Sequence, residues 1–92
     1  MEIGHALKVC RSARNISLDE LAERVSLSQS YLSMIESGKR LPTLPSIEKI
    51  AKGLEIPLPI VLFLAAEKDE LSGLDEETIR RLSDAALAVV RA

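Results

Sequence analysis

The chain has 92 residues, enough for one domain with a modest hydrophobic core. Aromatic residues make up only 2% of it, so the core must be built from Leu, Ile, Val and Ala. The single cysteine excludes an internal disulfide, and the longest apolar run, residues 56–66, is too short to span a bilayer. Because the N-terminus also lacks a signal peptide, we expect a cytoplasmic protein with no membrane partner.

The net charge of −2 is unevenly distributed along the chain. Residues 1–66 carry eight Lys/Arg and seven Asp/Glu, a balance of +1, whereas residues 67–92 carry four and seven, a balance of −3. Overall acidity argues weakly against a nucleic-acid-binding protein, because such domains are commonly basic. The nearly neutral first part nevertheless leaves room for a local basic patch.

Apolar residues recur at helical spacing throughout, which predicts an all-α fold. The first helix carries an apolar face of Ile3, Leu7, Cys10 and Ala13. Ser17 and Glu20 then form a capping-box pattern that opens a short second helix ending at Val25. Ser28 is the next N-cap candidate, and its helix ends at about Ser37.

Three more features complete the helical pattern after that third helix. Pro42 and Thr43 separate the third helix from the fourth. The fourth helix carries an apolar stripe of Ile47, Ile50, Ala51 and Leu54. Pro57 and Pro59 fit the first turn of a fifth helix. A hinge-like segment and an amphipathic helix from Asp75 follow, so we divide the chain into a five-helix domain, 1–66, and a tail, 67–92.

The segment "SLSQSYLSMIESGKR", residues 26–40, contains five serines where surface helices usually carry charged residues. It begins after the helix 17–25 and contains the helix 28–37, and only Ser26 and Leu27 separate the two. That spacing predicts a helix-turn-helix, whose second helix inserts its N-terminal end into the major groove of DNA. Short neutral donors and acceptors suit base edges there, so the hydroxyl-rich face indicates DNA readout.

The sequence also resembles the helix-turn-helix proteins of the Cro and phage-repressor type. The resemblance extends from about Ile3 to Leu64 and rests on Arg11, "SLDELAERV", "SQSYLSMIESGKRLP" and "IEKIAKGLEI". It implies a compact five-helix domain, dimeric binding to inverted repeats in double-stranded DNA, and transcriptional regulation.

The resemblance assigns roles to individual residues. Base readout is implied for Gln29, Ser30, Ser33 and Met34. Phosphate contact is implied for Ser17, Ser28, Tyr31, Lys39 and Arg40. Arg11 and Glu36 match an ion pair that the family buries between its first helix and the end of its recognition helix. For Tyr31 a packing role is an equal alternative, and Met34 also suits a gap-filling role.

Two positions depart from the family pattern. Leu18 stands where many members carry a Gln that braces the recognition helix, and Ser26 stands at the turn glycine. If the turn requires a left-handed backbone, a non-glycine residue costs about 1–2 kcal/mol.

Catalysis and cofactor binding are not expected. One His and one Cys cannot form a metal-ligand cluster, and no nucleophile, base and orienting group can be assembled. We therefore expect no enzyme activity, no metal and no cofactor.

Two apolar surfaces remain once the helix-turn-helix is packed. One lies on the fifth helix, with Ile60, Phe63 and Leu64, and the other is the tail stripe of Ile79, Leu82, Ala86 and Val89. A helix that is apolar all round must be covered on every side. We expect the tail helix to pack against the fifth helix, its own or a partner's, and to close a homodimer. The alternative is a tail that only caps its own monomer.

The leading functional hypothesis is a homodimeric repressor that binds an inverted repeat. Within the same fold, an antitoxin or a restriction controller that regulates its own operon is equally compatible, with a co-encoded partner or protein antagonist. A protein-interaction module with weak DNA affinity is the rival from another class. The negative net charge, Leu18 and Ser26 favour this rival.

Overall fold

The computed structural model describes the backbone of residues 1–92 and every side chain except that of Lys68. Over this part of the chain all regular structure is helical, as the sequence predicts. The elements are α1 (Ile3–Ala13), α2 (Leu18–Val25), α3 (Gln29–Glu36), α4 (Leu44–Gly53), α5 (Leu58–Ala65), a short 3₁₀ helix (Lys68–Leu71) and α6 (Glu76–Arg91).

Local side-chain chemistry sets most of the helix starts. The side chains of Ser17, Ser28, Thr43 and Asp75 each accept a hydrogen bond from the backbone N–H three residues later. This arrangement satisfies a helix N–H group that has no partner within the helix. The predicted N-caps at Ser17 and Ser28 are therefore confirmed.

One half of the predicted capping box differs from expectation. Ser17 Oγ accepts from the backbone N–H of Glu20 at 3.1 Å, as predicted. The Glu20 carboxylate, however, accepts a hydrogen bond from Arg24 at 2.7 Å, one turn further along α2. The Arg24 guanidinium, four residues further on, carries a full positive charge and therefore competes well with the backbone N–H of Ser17 for this carboxylate.

The core lies where α1 to α5 meet. Its fully buried side chains are mainly aliphatic, and they include Leu7, Cys10, Leu21, Leu32, Ile35, Ile50, Leu54 and Val61. The predicted stripe of α4 is buried, but Ala13 is exposed, because α1 ends there and turns away from the core. Burial raises the pKa of the Cys10 thiol, which suits a small core hydrophobe.

The tail helix α6 packs against α5 and α1 of its own chain. Val90 is fully buried in the core and Ala86 is 3% exposed, whereas Leu82 and Val89 are 43% and 37% exposed. The single face predicted for Ile79, Leu82, Ala86 and Val89 is therefore divided. The packed side of α6 is centred on Ala86 and Val90 because α6 crosses α1 as well as α5.

Arg14 fixes the end of α6 to the rest of the fold. Its guanidinium donates to the carbonyl oxygens of Glu55 at 3.0 Å, Val89 at 3.4 Å and Ala92 at 2.6 Å. The last two carbonyls lie at the C-terminal end of α6, where the Val89 oxygen also accepts the backbone N–H of Ala92 at 3.3 Å. A cation is favourable at this end of a helix.

Candidate nucleic-acid interface

Helices α2 and α3 form the helix-turn-helix predicted from the sequence. Three residues join them, and Ser26 adopts the left-handed conformation, with φ of 55° and ψ of 40°. This is the conformation for which glycine is preferred, and Ser26 is one of three non-glycine residues with positive φ. The left-handed residue ends α2 and lets α3 begin immediately afterwards with Ser28 as its N-cap.

The side chains predicted to read bases lie together on the outside of α3. Gln29, Ser30 and Ser33 are exposed, Met34 is half-buried, and with Leu18 they line one shallow hollow. An amide donates and accepts at once, and a hydroxyl does the same on a smaller scale. The hollow therefore presents a neutral hydrogen-bonding surface at the start of α3.

Leu18 occupies one edge of that hollow. The side chain is half-buried. It packs against the hydrophobic core and also lines the hollow next to Gln29. Where a Gln would brace α3 with a hydrogen bond, Leu18 supports it by apolar packing. The departure from the family pattern thus changes the type of contact at the edge of the hollow.

Ser17 and Ser28 lie at the N-terminal ends of α2 and α3. Each hydroxyl accepts one backbone N–H, from Glu20 at 3.1 Å and from Tyr31 at 3.0 Å. A hydroxyl that accepts in this way keeps its own hydrogen free to donate. Both side chains can therefore cap their helices and still donate to an anion, and helix N-termini themselves favour anions.

Tyr31 is half-buried and connects three elements. Its ring packs against the core, and its hydroxyl donates to Ser46 Oγ at 3.2 Å. Ser46 Oγ also accepts from Thr43 Oγ1 at 3.0 Å, and the Arg40 guanidinium lies 5.1 Å from the centre of the Tyr31 ring. Tyr31 therefore has a packing role, and its ring also positions the Arg40 guanidinium by a cation–π contact.

Lys39 and Arg40 follow α3 on the exposed loop that Gly38 begins with a φ of +80°. The backbone N–H of Arg40 donates to the carbonyl oxygen of Met34 at 3.1 Å and turns the loop back over the end of α3. Both cations therefore lie close to the C-terminal end of α3, with exposed side chains.

Arg11 and Glu36 meet between α1 and the end of α3. Arg11 Nε donates to Glu36 Oε2 at 2.7 Å, and Nη2 donates to Oε1 at 3.0 Å, which makes the pair bidentate. Arg11 Nη1 donates to the carbonyl oxygen of Ile16 at 2.8 Å. The side chains are 16% and 9% exposed, and the hydrogen bonds to Glu36 raise the pKa of Arg11.

Sequence comparison identifies this arrangement of helices. A family profile described as Helix-turn-helix matches residues 7–61, which include α2, α3 and the loop between them. The chain belongs to the helix-turn-helix family of the Cro and phage-repressor type.

Several named regulators in this helix-turn-helix family are similar to the chain. The transcriptional regulator SinR of Bacillus subtilis is 36% identical over 86 residues, which cover 90% of this chain and 76% of SinR. The immunity repressor of Bacillus phage phi105 is 29% identical over 85 residues. This chain spans only 59% of the length of that repressor.

Two further comparisons involve a smaller protein and a solved structure. The control protein C.MunI of a Mycoplasma species is 37% identical over 70 residues, which cover 75% of this chain and 93% of C.MunI. A solved SinR protein/SinI protein complex contains a chain with a TM-score of 0.62 and 30% identity. The match covers 94% of this chain and 80% of that one, so the likeness includes α6.

The surfaces predicted for assembly lie away from the helix-turn-helix. Phe63, Leu64 and Ile79 line a groove between α5 and α6, and Ile60 is half-buried. Ala86 is buried within its own chain, so it is not available as a surface residue. Leu82 and Val89 remain exposed on α6.

Two kinds of feature are absent from the described residues. No group of three or more His, Cys, Asp or Glu side chains among them is arranged to hold a metal ion. No described helix has the length and apolar character needed to cross a membrane.

The polar start of α4 lies beside α3, a contact that the sequence patterns did not predict. Thr43 caps α4, and the linked hydroxyls of Thr43, Ser46 and Tyr31 connect it to α3. The spacing of Thr43 and Ser46 is that of a helix N-cap and its third residue, which is the signal that could have indicated this contact.

Proposed function

We propose that the protein is a DNA-binding transcriptional regulator, a repressor that acts as a homodimer on an inverted repeat. The observation that carries this proposal is the hollow at the start of α3, where Gln29, Ser30 and Ser33 are exposed together. Lys39 and Arg40, on the loop after α3, supply the positive charge that a phosphate backbone requires. Residues 1–66 would bind DNA in the cytoplasm, and residues 67–92 would serve dimerisation.

Dimerisation is proposed because one recognition helix reads too few base pairs to be selective. Two-fold dimers of this motif bind half-sites about 34 Å apart, one turn of DNA. Leu82 and Val89, seven residues apart on α6, form an exposed apolar strip along the edge of the packed face that contains Ala86 and Val90. A second copy of α6, together with the α5–α6 groove, is the proposed cover for this strip.

Selection of duplexes from a random pool, followed by titration at several salt concentrations, tests DNA binding. We expect one palindromic sequence to be selected and its affinity to fall steeply with salt as counterions are released. A protein-interaction module would select no sequence, and this outcome would refute the proposal. The spacing of the selected half-sites tests the dimer geometry independently.

Sedimentation at micromolar concentration tests the assembly. Removing α6 is unsuitable because Val90 is fully buried in the core. The double variant Leu82→Ser, Val89→Ser should sediment as a monomer, whereas Ala88→Ser, an exposed control on another side of α6, should remain dimeric. A parent chain that is monomeric at these concentrations would refute the homodimer.

A second candidate is a regulator of its own operon, comparable to a restriction controller. It is favoured by the match to the control protein C.MunI over 93% of the length of C.MunI. The SinR protein/SinI protein complex likewise supports a protein partner for this fold. A reporter driven by the DNA upstream of the protein's own gene distinguishes this candidate: autoregulation predicts a response to the protein, and a remote target predicts none.

A further inference from the structure

Two leucines between the end of α3 and the first turn of α4 are exposed to solvent. Leu41 is 84% exposed, more than any other large hydrophobic side chain among the described residues, and Leu44 is 56% exposed. Each leucine is followed directly by a proline, Pro42 or Pro45. Proline fixes its own φ and restricts the residue before it, so the backbone at both leucines is confined to a narrow range of conformations.

The surroundings of Leu41 point to an anionic partner. The exposed cations Lys39 and Arg40 precede it, and the carboxylate of Glu36 is already paired with Arg11. Leu41 and Arg40 also line a hollow whose other wall is the start of α1, including Glu2. The wall formed by the loop is therefore cationic and apolar.

The dimensions of α3 place this loop relative to DNA. Its eight residues span about 12 Å, and the major groove is about 12 Å wide and about 8.5 Å deep. If Gln29 lies on base edges, the far end of α3 stands at the rim of the groove, where the phosphates are. The residues after Lys39 and Arg40 then lie beyond the backbone, over the neighbouring minor groove.

We propose that Leu41 is a DNA-contacting residue that packs into the minor groove beside the half-site. The inference rests on the proposed function and adds a residue to it. Apolar side chains enter minor grooves as wedges and favour sequences that deform easily. Leu41 would therefore contribute specificity at base pairs that α3 does not touch, through groove shape rather than through hydrogen bonds.

The full chain and its selected duplex test the proposal. Leu41→Ser should bind about tenfold more weakly, because a leucine contact is lost. Its salt dependence should equal that of the parent, since no charge is removed. Leu74→Ser is the matched control: Leu74 is 42% exposed and lies before α6, so this variant should bind like the parent.

Inosine in the duplex locates the contact. Replacing G·C by inosine·C pairs beside the half-sites removes the amino group of the minor groove and leaves the major-groove pattern intact. We expect this change to alter the affinity of the parent several-fold and to leave that of Leu41→Ser unchanged. An equal response of both proteins would overturn the proposal.

Two other results would also overturn it. One is a Leu41→Ser variant that binds as tightly as the parent. The other is a Leu41→Ser variant that loses the dimer in sedimentation, which would make Leu41 an interface residue between copies. A parent that selects no duplex would refute the proposed function together with this inference. A parent that selects a duplex to which Leu41→Ser binds equally well would refute this inference alone.

Discussion

Gly4 of α1 lies directly against the backbone carbonyl of Ile35 in α3. A Cβ atom at Gly4 would overlap the Ile35 carbonyl oxygen and would also approach its carbonyl carbon to 3.2 Å. The neighbouring group is backbone, which cannot move away as the end of a side chain can. The absence of a side chain at Gly4 therefore sets how closely α1 approaches α3.

Gly4→Ala should destabilise the protein by about 1–3 kcal/mol, as overpacking of a close contact does. The gain in helix propensity, about 1 kcal/mol, is too small to offset a backbone overlap in full. Denaturant unfolding measures the change. Ser12→Ala, an exposed position in the same helix, should leave stability unchanged or slightly raised. A Gly4→Ala variant as stable as Ser12→Ala would show that α1 and α3 can separate without cost.

Local chemistry made much of the fold predictable. The serines at 17 and 28 mark the starts of α2 and α3, and the short segment between them leaves room only for a tight turn. The same spacing placed Gln29, Ser30 and Ser33 on one exposed surface. These features depend on neighbours a few residues away in the sequence, so they can be identified without the tertiary structure.

Contacts between distant elements could not be predicted in the same way. The side of α6 that is buried depends on its crossing with α1, and that crossing makes Val90 rather than Val89 the core residue. The need for glycine at position 4 depends on the path of α3 some thirty residues later. The contact of Arg40 with Tyr31 likewise follows from the fold of the loop after α3.

The pair of Arg11 and Glu36 should make a measurable contribution to stability. Removing one partner leaves a nearly buried charge uncompensated, which costs about 3 kcal/mol, the lower end for buried pairs. Removing both should cost less than the sum of the single changes. A double-mutant cycle of Arg11→Met and Glu36→Leu in denaturant unfolding measures the coupling.

A second double-mutant cycle distinguishes the pair of Arg11 and Glu36 from an ordinary surface pair. Glu20 and Arg24 are also 2.7 Å apart, but their side chains are 49% and 42% exposed. The cycle for this second pair should give a coupling of only about 0.3–0.5 kcal/mol. A coupling for Arg11 and Glu36 no larger than this would exclude a stabilising role for the bidentate contact.

Ser26→Gly should stabilise the fold by about 0.5–1 kcal/mol. The left-handed conformation at φ of 55° is strained for serine and not for glycine, although glycine also gains entropy in the unfolded chain. Ser37 is the matched control, because it is an exposed serine at the end of α3 with a φ of −84°. Ser37→Gly should therefore destabilise in the same unfolding measurement. Equal changes at both positions would mean that the turn carries no strain.

Gln29 and Lys39 should affect DNA binding in different ways. Gln29 lies in the first turn of α3, where its amide can pair with two atoms of one base, so Gln29→Ala should weaken specific binding by about 1–3 kcal/mol. Binding to unrelated duplexes should persist, because phosphate contacts carry it.

Lys39→Ala should instead weaken binding to every sequence alike and reduce the salt slope by about 1. Alanine is a good helix former and both side chains are exposed, so neither variant should lose stability. If Gln29→Ala bound the selected duplex as tightly as the parent while Lys39→Ala did not, Gln29 would make no base contact, and the placement of α3 in the major groove proposed here would be wrong.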